Sequence, residues 1–286
     1  MLGIYFALAA ALAQSAQAAI NKKLLEKIPS RFLLLSVFGT AAILVSPLAI
    51  YSGIPRLDAA FFIAGFSGAL LNVLATLSLW EALKRDNVSR MFPFLTLAPL
   101  FSILTSALVL GEFPSRQGLL GITLIVAGLF IIESRREISN PLAAPRTRSG
   151  FIFVILAAFL LSLNIAVDRF AILHSSPLFY PPFFLGAAFV PVFLYTLLRP
   201  PAVSSRILVK HSRILLISSL CLAAGTILTS LALSLALASY VSSIKRLGIL
   251  FAMLWGAKFL KEEVSMRLIT GALLATAGAI LIALAH

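Results

Sequence analysis

The chain has 286 residues, of which 60% are hydrophobic and 12% are charged, and its mean hydropathy is +1.05. A soluble domain of this length carries far more charge, so the composition predicts a protein that crosses the membrane several times. The formal net charge of +13 would favour nucleic-acid binding in a soluble protein. Here almost every Lys and Arg falls between apolar runs, as anchors of membrane helices do, so the expected partner is the lipid bilayer and not nucleic acid.

Ten apolar runs are long enough to cross a bilayer. A hydrocarbon core of about 30 Å needs roughly 20 apolar residues in a helix, and backbone polar groups in lipid must be satisfied within each segment. The predicted spans are residues 1–20, 32–52, 59–83, 91–110, 117–133, 150–173, 177–198, 214–237, 239–257 and 268–285. The predicted fold class is therefore an all-α membrane protein with ten transmembrane helices.

The chain also repeats itself. Displaced by 150 residues, Glu112 falls on Glu262 and the pair Ala127-Gly128 on Ala277-Gly278. Displaced by 147 residues, three polar residues of the first span fall on three of the sixth: Gln17, Asn21 and Lys22 on Asn164, Asp168 and Arg169. This pattern predicts a duplicated five-helix unit, with repeats at residues 1–138 and 150–286 joined by a linker at 139–149. Because five is odd, the second repeat enters the membrane from the opposite side.

The positive charges agree with inverted halves. The odd-numbered connections between spans hold most of the Lys and Arg, whereas the even-numbered ones hold only Arg56 and Arg116. This asymmetry predicts cytoplasmic odd connections and external termini, which a cytoplasmic signal from a reporter fused to His286 would contradict. No transit segment precedes the first span, so a bacterial-type inner membrane is the expected location.

Two adjacent cations, Lys245 and Arg246, lie inside the ninth span. A charge at that depth costs roughly 2.5 to 3.5 kcal/mol on insertion scales, so it is normally kept only beside a polar cavity or a counter-charge. Arg offers a planar fork and Lys a mobile point charge, which together suit an anionic ligand. The alternatives are that they reach to the interface or pair permanently with Asp168 or Glu81.

Other polar residues within the spans are candidates for the walls of the same cavity, although each could equally bond another helix. They are Gln14, Gln17, Asn72, Thr76, Asn164, Tyr240 and Ser243. Asp168 is a possible counter-charge for the cationic pair, and the alternative is that it closes a helix end together with Arg169. Ser115 suits the N-cap of the fifth span.

Other kinds of site find little support in the sequence. The three His residues lie apart without metal-ligand spacing, and the chain has neither a glycine-rich phosphate loop nor a nucleophile with a base. We therefore expect no enzyme activity, cofactor or metal. Gly121 with Gly128, and Gly271 with Gly278, place small residues on one helix face, for close packing within the protomer or in a homodimer.

The stretch LWEALKRDNVSRMFPFLTLAPLFSILTSALVLGEFPSRQGLLGITLIVAGLFII, with the inverted halves, resembles the EamA-type members of the drug/metabolite transporter superfamily. The resemblance covers the whole chain and implies secondary transport of small metabolites. The ninth span, SSIKRLGILFAMLWGAKF, resembles the Lys-Arg region of the plastid triose-phosphate/phosphate translocators, which implies that Lys245 and Arg246 bind a phosphate. That family has a further lysine in the fourth span, where this chain has Leu95.

The resulting expectation is a transporter that moves a small organic anion, phosphorylated or carboxylated, by alternating access. Exchange is the expected mode because an empty carrier would reorient with two uncompensated charges. The alternatives are an exporter of amino acids, other neutral or zwitterionic metabolites or drugs, and a membrane subunit that transports nothing.

Overall fold

The computed structural model describes residues 1–25, 27–85, 94–133, 148–198, 210–248, 250–251 and 266–285. Within these ranges the chain forms ten α-helices. They are α1 (Leu2–Leu25), α2 (Ser30–Tyr51), α3 (Ala59–Arg85), α4 (Ala98–Leu110), α5 (Arg116–Glu133), α6 (Arg148–Leu173), α7 (Tyr180–Leu198), α8 (Ser212–Leu235), α9 (Ala238–Lys245) and α10 (Met266–Leu284).

Six of the described helices are long and apolar enough to cross a membrane, namely α1, α2, α3, α6, α7 and α8, and α4, α5 and α10 are shorter apolar helices. Most predicted spans match the observed helices within three residues. Helix α1 continues to Leu25 instead of ending near residue 20. The extra turn is held by packing, because Leu24 is buried in a cluster with Ile28, Leu33 and Leu215.

The fourth and ninth spans are interrupted, where continuous helices were predicted. In the fourth, the Leu97 N–H donates to the Phe94 carbonyl at 3.2 Å, and in the ninth the Leu247 N–H donates to the Ile244 carbonyl at 3.0 Å. These three-residue hydrogen bonds are tighter than α-helical ones. The two breaks lie 150 residues apart, so they occupy the same position in the repeat. Pro99 explains the first break, since it has no N–H to donate back to Leu95.

Helices α5 and α10 meet through their glycines in an antiparallel arrangement. Gly121 lies against Gly278, and Gly128, seven residues later, lies against Gly271, seven residues earlier. The predicted small-residue faces therefore pack against each other within the protomer. The repeat symmetry is visible in the details, because Ile282 packs on Gly121 as Ile132 packs on Gly271.

Helices α1 and α8 also run antiparallel. Gly3 at the start of α1 contacts Ala236 just after α8, Gln14 contacts Gly225, and Asn21 contacts Ser218. Contacts later in α1 thus fall on earlier residues of α8.

Helices α4 and α6 run parallel. Three contacts show this, between Phe101 and Phe159, between the Thr105 hydroxyl and the Ser162 carbonyl, and between Glu112 and Arg169. Residue numbers therefore increase in the same direction along both helices. The directions observed in these three helix pairs are those that an inverted repeat of five helices requires. The predicted fold class is therefore confirmed. The predicted repeat boundaries stay predictions, because residues 134–147, which hold most of the linker, lie outside the described ranges.

Candidate functional site: a polar cavity between the halves

A cavity of about 140 Å³ lies between the two halves. Helices of the first half contribute Gln14 and Asn72 to its walls, and helices of the second half contribute Asn164, Asp168 and Lys245. Phe38, Ile172, Phe184, Leu222 and Leu233 are among its apolar lining residues. A mostly apolar wall with a few convergent polar groups is typical of a small-molecule site.

Lys245 reaches the cavity because it ends α9 at the break in the ninth span. The residues before it are buried: Ser243 and Ile244 are fully covered, whereas Lys245 is half-buried. Among the described residues, no ion pair forms between the Lys245 ammonium group and the Asp168 carboxylate. The ammonium group and the carboxyl group thus line one cavity without direct contact.

Asp168 is held by two donors on one oxygen. The Tyr180 hydroxyl donates to its Oδ1 at 2.5 Å, and the Asn164 amide donates to the same oxygen at 2.9 Å and to the Gly68 carbonyl at 3.0 Å. Glycine is needed on α3 at this point, since a Cβ added at Gly68 would lie 2.7 Å from the Asp168 oxygen. Three helices, α3, α6 and α7, therefore fix the position of this carboxyl group.

Arg169, the next residue, points elsewhere. Its Nε donates to Glu112 Oε1 at 2.5 Å, and its Nη1 donates to the carbonyls of Leu233 and Ala236 where α8 ends. The other oxygen of Glu112 accepts the Ala238 N–H at 3.3 Å, where α9 begins. The side chains are only 12% and 14% exposed. Arg169 thus closes a helix end, as one sequence interpretation predicted, but its partner is Glu112 and not Asp168.

Glu112 follows the end of α4, where Gly111 adopts a left-handed conformation that glycine favours. Gly111 has φ of 66°, and the N–H groups of Gly111 and Glu112 donate to the carbonyls of Ala107 and Ser106. The next helix begins as predicted, because the Ser115 hydroxyl accepts the Gly118 N–H at 3.1 Å as an N-cap.

Five of the candidate residues lie away from the lining of this cavity. The Tyr240 hydroxyl accepts the Ser115 N–H at 3.1 Å, and the hydroxyls of Ser243 and Thr76 donate to carbonyls one turn back in their own helices. Gln17 and Arg246 are half-buried and do not line the cavity. Of the cationic pair, only Lys245 faces the space that the structure shows.

The sequence interpretation missed three hydroxyl groups on α8. Thr226, Thr229 and Ser230 all line the cavity. Their spacing of three and four residues places them on one helix face, which was the available signal. Ser and Thr are common in membrane helices because they can bond the carbonyl one turn back, as Thr226 does with Leu222. Thr229 and Ser230 find no such partner among the described residues.

Residues 1–134 match the EamA-like transporter family. A solved structure, titled "Crystal structure of protein", superposes with a TM-score of 0.78 over 99% of this chain and 96% of its own, at 15% identity. At that identity the likeness shows the fold alone. No curated protein matches the chain. The first half of the chain is thus similar to the EamA-like transporters of the drug/metabolite transporter superfamily, and the apolar helices identify the chain as a multi-pass membrane protein.

Proposed function

We propose that the protein is a secondary active transporter that moves a small organic anion by alternating access, and that Lys245 binds the anionic group. The observation that carries this proposal is the presence of Lys245 among the few polar groups of a cavity that both halves line. A bacterial-type inner membrane is the proposed location.

Hydrogen bonding supports a polar ligand in this cavity. Ser230 is only 2% exposed, and neither its hydroxyl nor that of Thr229 has a partner among the described residues. Buried polar atoms in proteins are nearly always paired, so these two covered hydroxyls would gain a hydrogen-bond partner if a cargo reached them. Lys245 adds three donors and no acceptor, which suits a carboxylate or a phosphate.

The architecture supports alternating access. The two halves are related by inversion, and the fourth and ninth spans break at equivalent positions, with Lys245 at the second break. In inverted-repeat transporters, substrate sites lie at the interface of the repeats beside such discontinuous helices, and one repeat rocks against the other. A short stretch of tight helical turns is also a common hinge.

The mode of transport depends on the charge of the empty carrier. Exchange follows from two uncompensated cations, since reorienting them through low dielectric is costly. Arg246 does not line the cavity, and Asp168 shares it with Lys245. Exchange is therefore the proposed mode only if Asp168 carries no negative charge when the carrier is empty.

Thermal stability of the purified protein tests the anion proposal. Inorganic phosphate, glycerol phosphate and small monocarboxylates are added separately to wild-type protein and to Lys245→Gln. We expect at least one of these anions to raise the unfolding temperature of the wild type and not that of the variant. Lys210→Gln, which removes an exposed lysine remote from the cavity, is the control and should respond like the wild type. If none of the anions stabilises the wild type, or if one stabilises Lys245→Gln equally, the proposal fails.

A zwitterionic cargo, such as an amino acid, is the second candidate, because Asp168 and Lys245 line the same cavity. An ammonium group could then lie near Asp168 while the carboxylate lies near Lys245. The same assay separates the two: stabilisation by a zwitterion should disappear in both Lys245→Gln and Asp168→Asn. Stabilisation by a simple anion should disappear only in Lys245→Gln.

A further inference from the structure

We propose that Asp168 binds one proton for each singly charged anion that binds at Lys245, so that transport of the anion is coupled to protons. This inference rests on the proposed function, because it assumes an anionic cargo at Lys245. It concerns the carboxyl group of Asp168, which the sequence marked only as a possible counter-charge.

The charges in the cavity give the reason. Among the described lining residues, Lys245 and Asp168 are the two with charged side chains. The empty cavity is neutral when Lys245 is positive and Asp168 negative. A bound monoanion would leave one negative charge in excess, and that excess is costly in low dielectric. One proton on Asp168 makes the loaded cavity neutral again, so both forms that reorient carry no net charge.

The geometry of Asp168 allows both protonation states. Its Oδ1 accepts the hydrogen bonds from Tyr180 and Asn164 in either state. Its Oδ2 makes no hydrogen bond within the described ranges, and the residue lines the cavity. A proton on Oδ2 would therefore disturb neither existing bond. A carboxyl group held inside a membrane protein, beside a cavity and a cation, is a common arrangement for a proton relay.

Within the described ranges, few other charges surround Asp168. Tyr180 on α7 and Lys245 on α9 face it, with Arg246 following Lys245, and the adjacent Arg169 is paired with Glu112. Helices α1, α3 and α8 contribute only groups that do not titrate in this range: Gln14, Gly68, Asn72, Thr226, Thr229 and Ser230. Lys245 is thus the group whose charge Asp168 balances.

The test uses the full-length protein without cargo, so it does not depend on which anion is transported. Unfolding temperatures are measured at pH 5.5 and pH 8 for the wild type, Lys245→Gln and Lys245→Gln/Asp168→Asn. The Asp168→Asn substitution keeps an oxygen that accepts from Tyr180 and Asn164 but removes the charge. Asp58→Asn in the Lys245→Gln background is the control, since it removes an exposed carboxylate outside the membrane spans.

Lys245→Gln leaves the carboxylate without its counter-charge. A carboxylate left inside the protein without a nearby cation is costly, so the unfolding temperature at pH 8 should fall by about 5 °C. At pH 5.5 the deficit should shrink, because a protonated Asp168 needs no cation. Asp168→Asn should restore most of the loss at pH 8, and Asp58→Asn should restore none.

The inference is overturned if the Lys245→Gln deficit is the same at both pH values, or if the double variant is no more stable than Lys245→Gln at pH 8. Should Lys245→Gln fail to accumulate in membranes, recovery of the double variant supports the inference, and failure of both overturns it. A positive result here with no stabilising anion in the preceding assay would reject the anion cargo and retain the charge coupling between the two residues.

Discussion

The two halves meet in two regions that are built differently. At the seam between α5 and α10, four glycines bring backbones together, and the contacts on one side repeat those on the other. Around the cavity the repeat is broken: the counterpart of Lys245 is Leu95, which is buried in an apolar cluster with Ala98 and Ala157. The repeated contacts thus form the scaffold, and the charged residues of the cavity lie where the two halves depart from repetition.

The same holds for the first helix of each half. Asn21 occupies the position of Asp168 and accepts a hydrogen bond from the Ser218 hydroxyl at 2.6 Å. An amide can satisfy a helix contact but cannot carry charge, so the only carboxyl group of this pair lies in the second half. Both charges of the described cavity thus belong to one repeat, and the first repeat supplies amides.

The largest effect is expected at the pair of Arg169 with Glu112, which joins the two halves away from the cavity. Glu112→Gln leaves the guanidinium of Arg169 with carbonyl partners but no counter-charge, and removal of one partner of a buried pair costs about 3 to 5 kcal/mol. Glu81→Gln is the control, because Glu81 pairs with Arg85 at 3.5 Å on an exposed face, where such pairs contribute about 0 to 1 kcal/mol. Thermal unfolding of the two variants tests this, and equal unfolding temperatures would contradict the structural role of the pair.

At the seam, Gly278→Ala tests whether backbone contact holds the halves together. A Cβ at this position would lie 2.5 Å from the Gly121 carbonyl oxygen. Overpacking of this kind costs about 1 to 3 kcal/mol. Gly186→Ala on α7 is the matched control, since nothing lies within 4 Å of its added Cβ. The control should unfold at or slightly above the wild-type temperature, and a seam that tolerates Gly278→Ala equally would disprove its close packing.

The smallest effect is expected outside both regions, where Asp58 meets His174. Asp58 Oδ1 accepts the Phe61 N–H at 2.8 Å as the N-cap of α3, and its Oδ2 lies 2.8 Å from His174 Nδ1. The Phe61 N–H, and then His174, hold the pKa of Asp58 below its ordinary value. The stabilisation is therefore present at neutral pH and is lost as the pH falls through about 4 and below.

Replacement of Asp58 by Ala should lower the unfolding temperature by about 2 to 4 °C at pH 7. The difference from the wild type should shrink as the pH is lowered below about 4. The measurement is a series of melting curves across this range, and a difference that persists at the lowest pH would show that the carboxylate does not contribute through its charge.

Much of the fold could be predicted because its causes are local or periodic. Apolar runs gave the helices within a few residues, and the repeated glycines indicated close packing before their partners were known. The breaks in the fourth and ninth spans were not predicted. Pro99 marks the first break, but Leu247 carries no comparable signal, and the symmetry of the two breaks emerges only from their hydrogen bonds.

The candidate site was predicted in part, for a physical reason. Lys245 stood out because a cation in an apolar run is costly, and Asp168 because it interrupts one. Tyr240 was chosen for the same polarity, yet its hydroxyl contacts Ser115. Ser230 was passed over, yet it lies in the cavity without a partner among the described residues. Hydroxyl groups are inexpensive inside a helix, so their presence does not reveal which way they face.

The sequence by itself determined the class of protein, the number and inversion of its spans, and the two charges that must be accommodated inside them. Hydrophobicity, repetition and the cost of burying charge are properties of the chain that do not depend on how helices meet. Only the tertiary structure decided that Lys245 and Asp168 share a cavity while Arg169, one residue away, binds Glu112. Adjacent residues on a helix point about 100° apart, so their partners are set by the neighbouring helices, which no local pattern encodes.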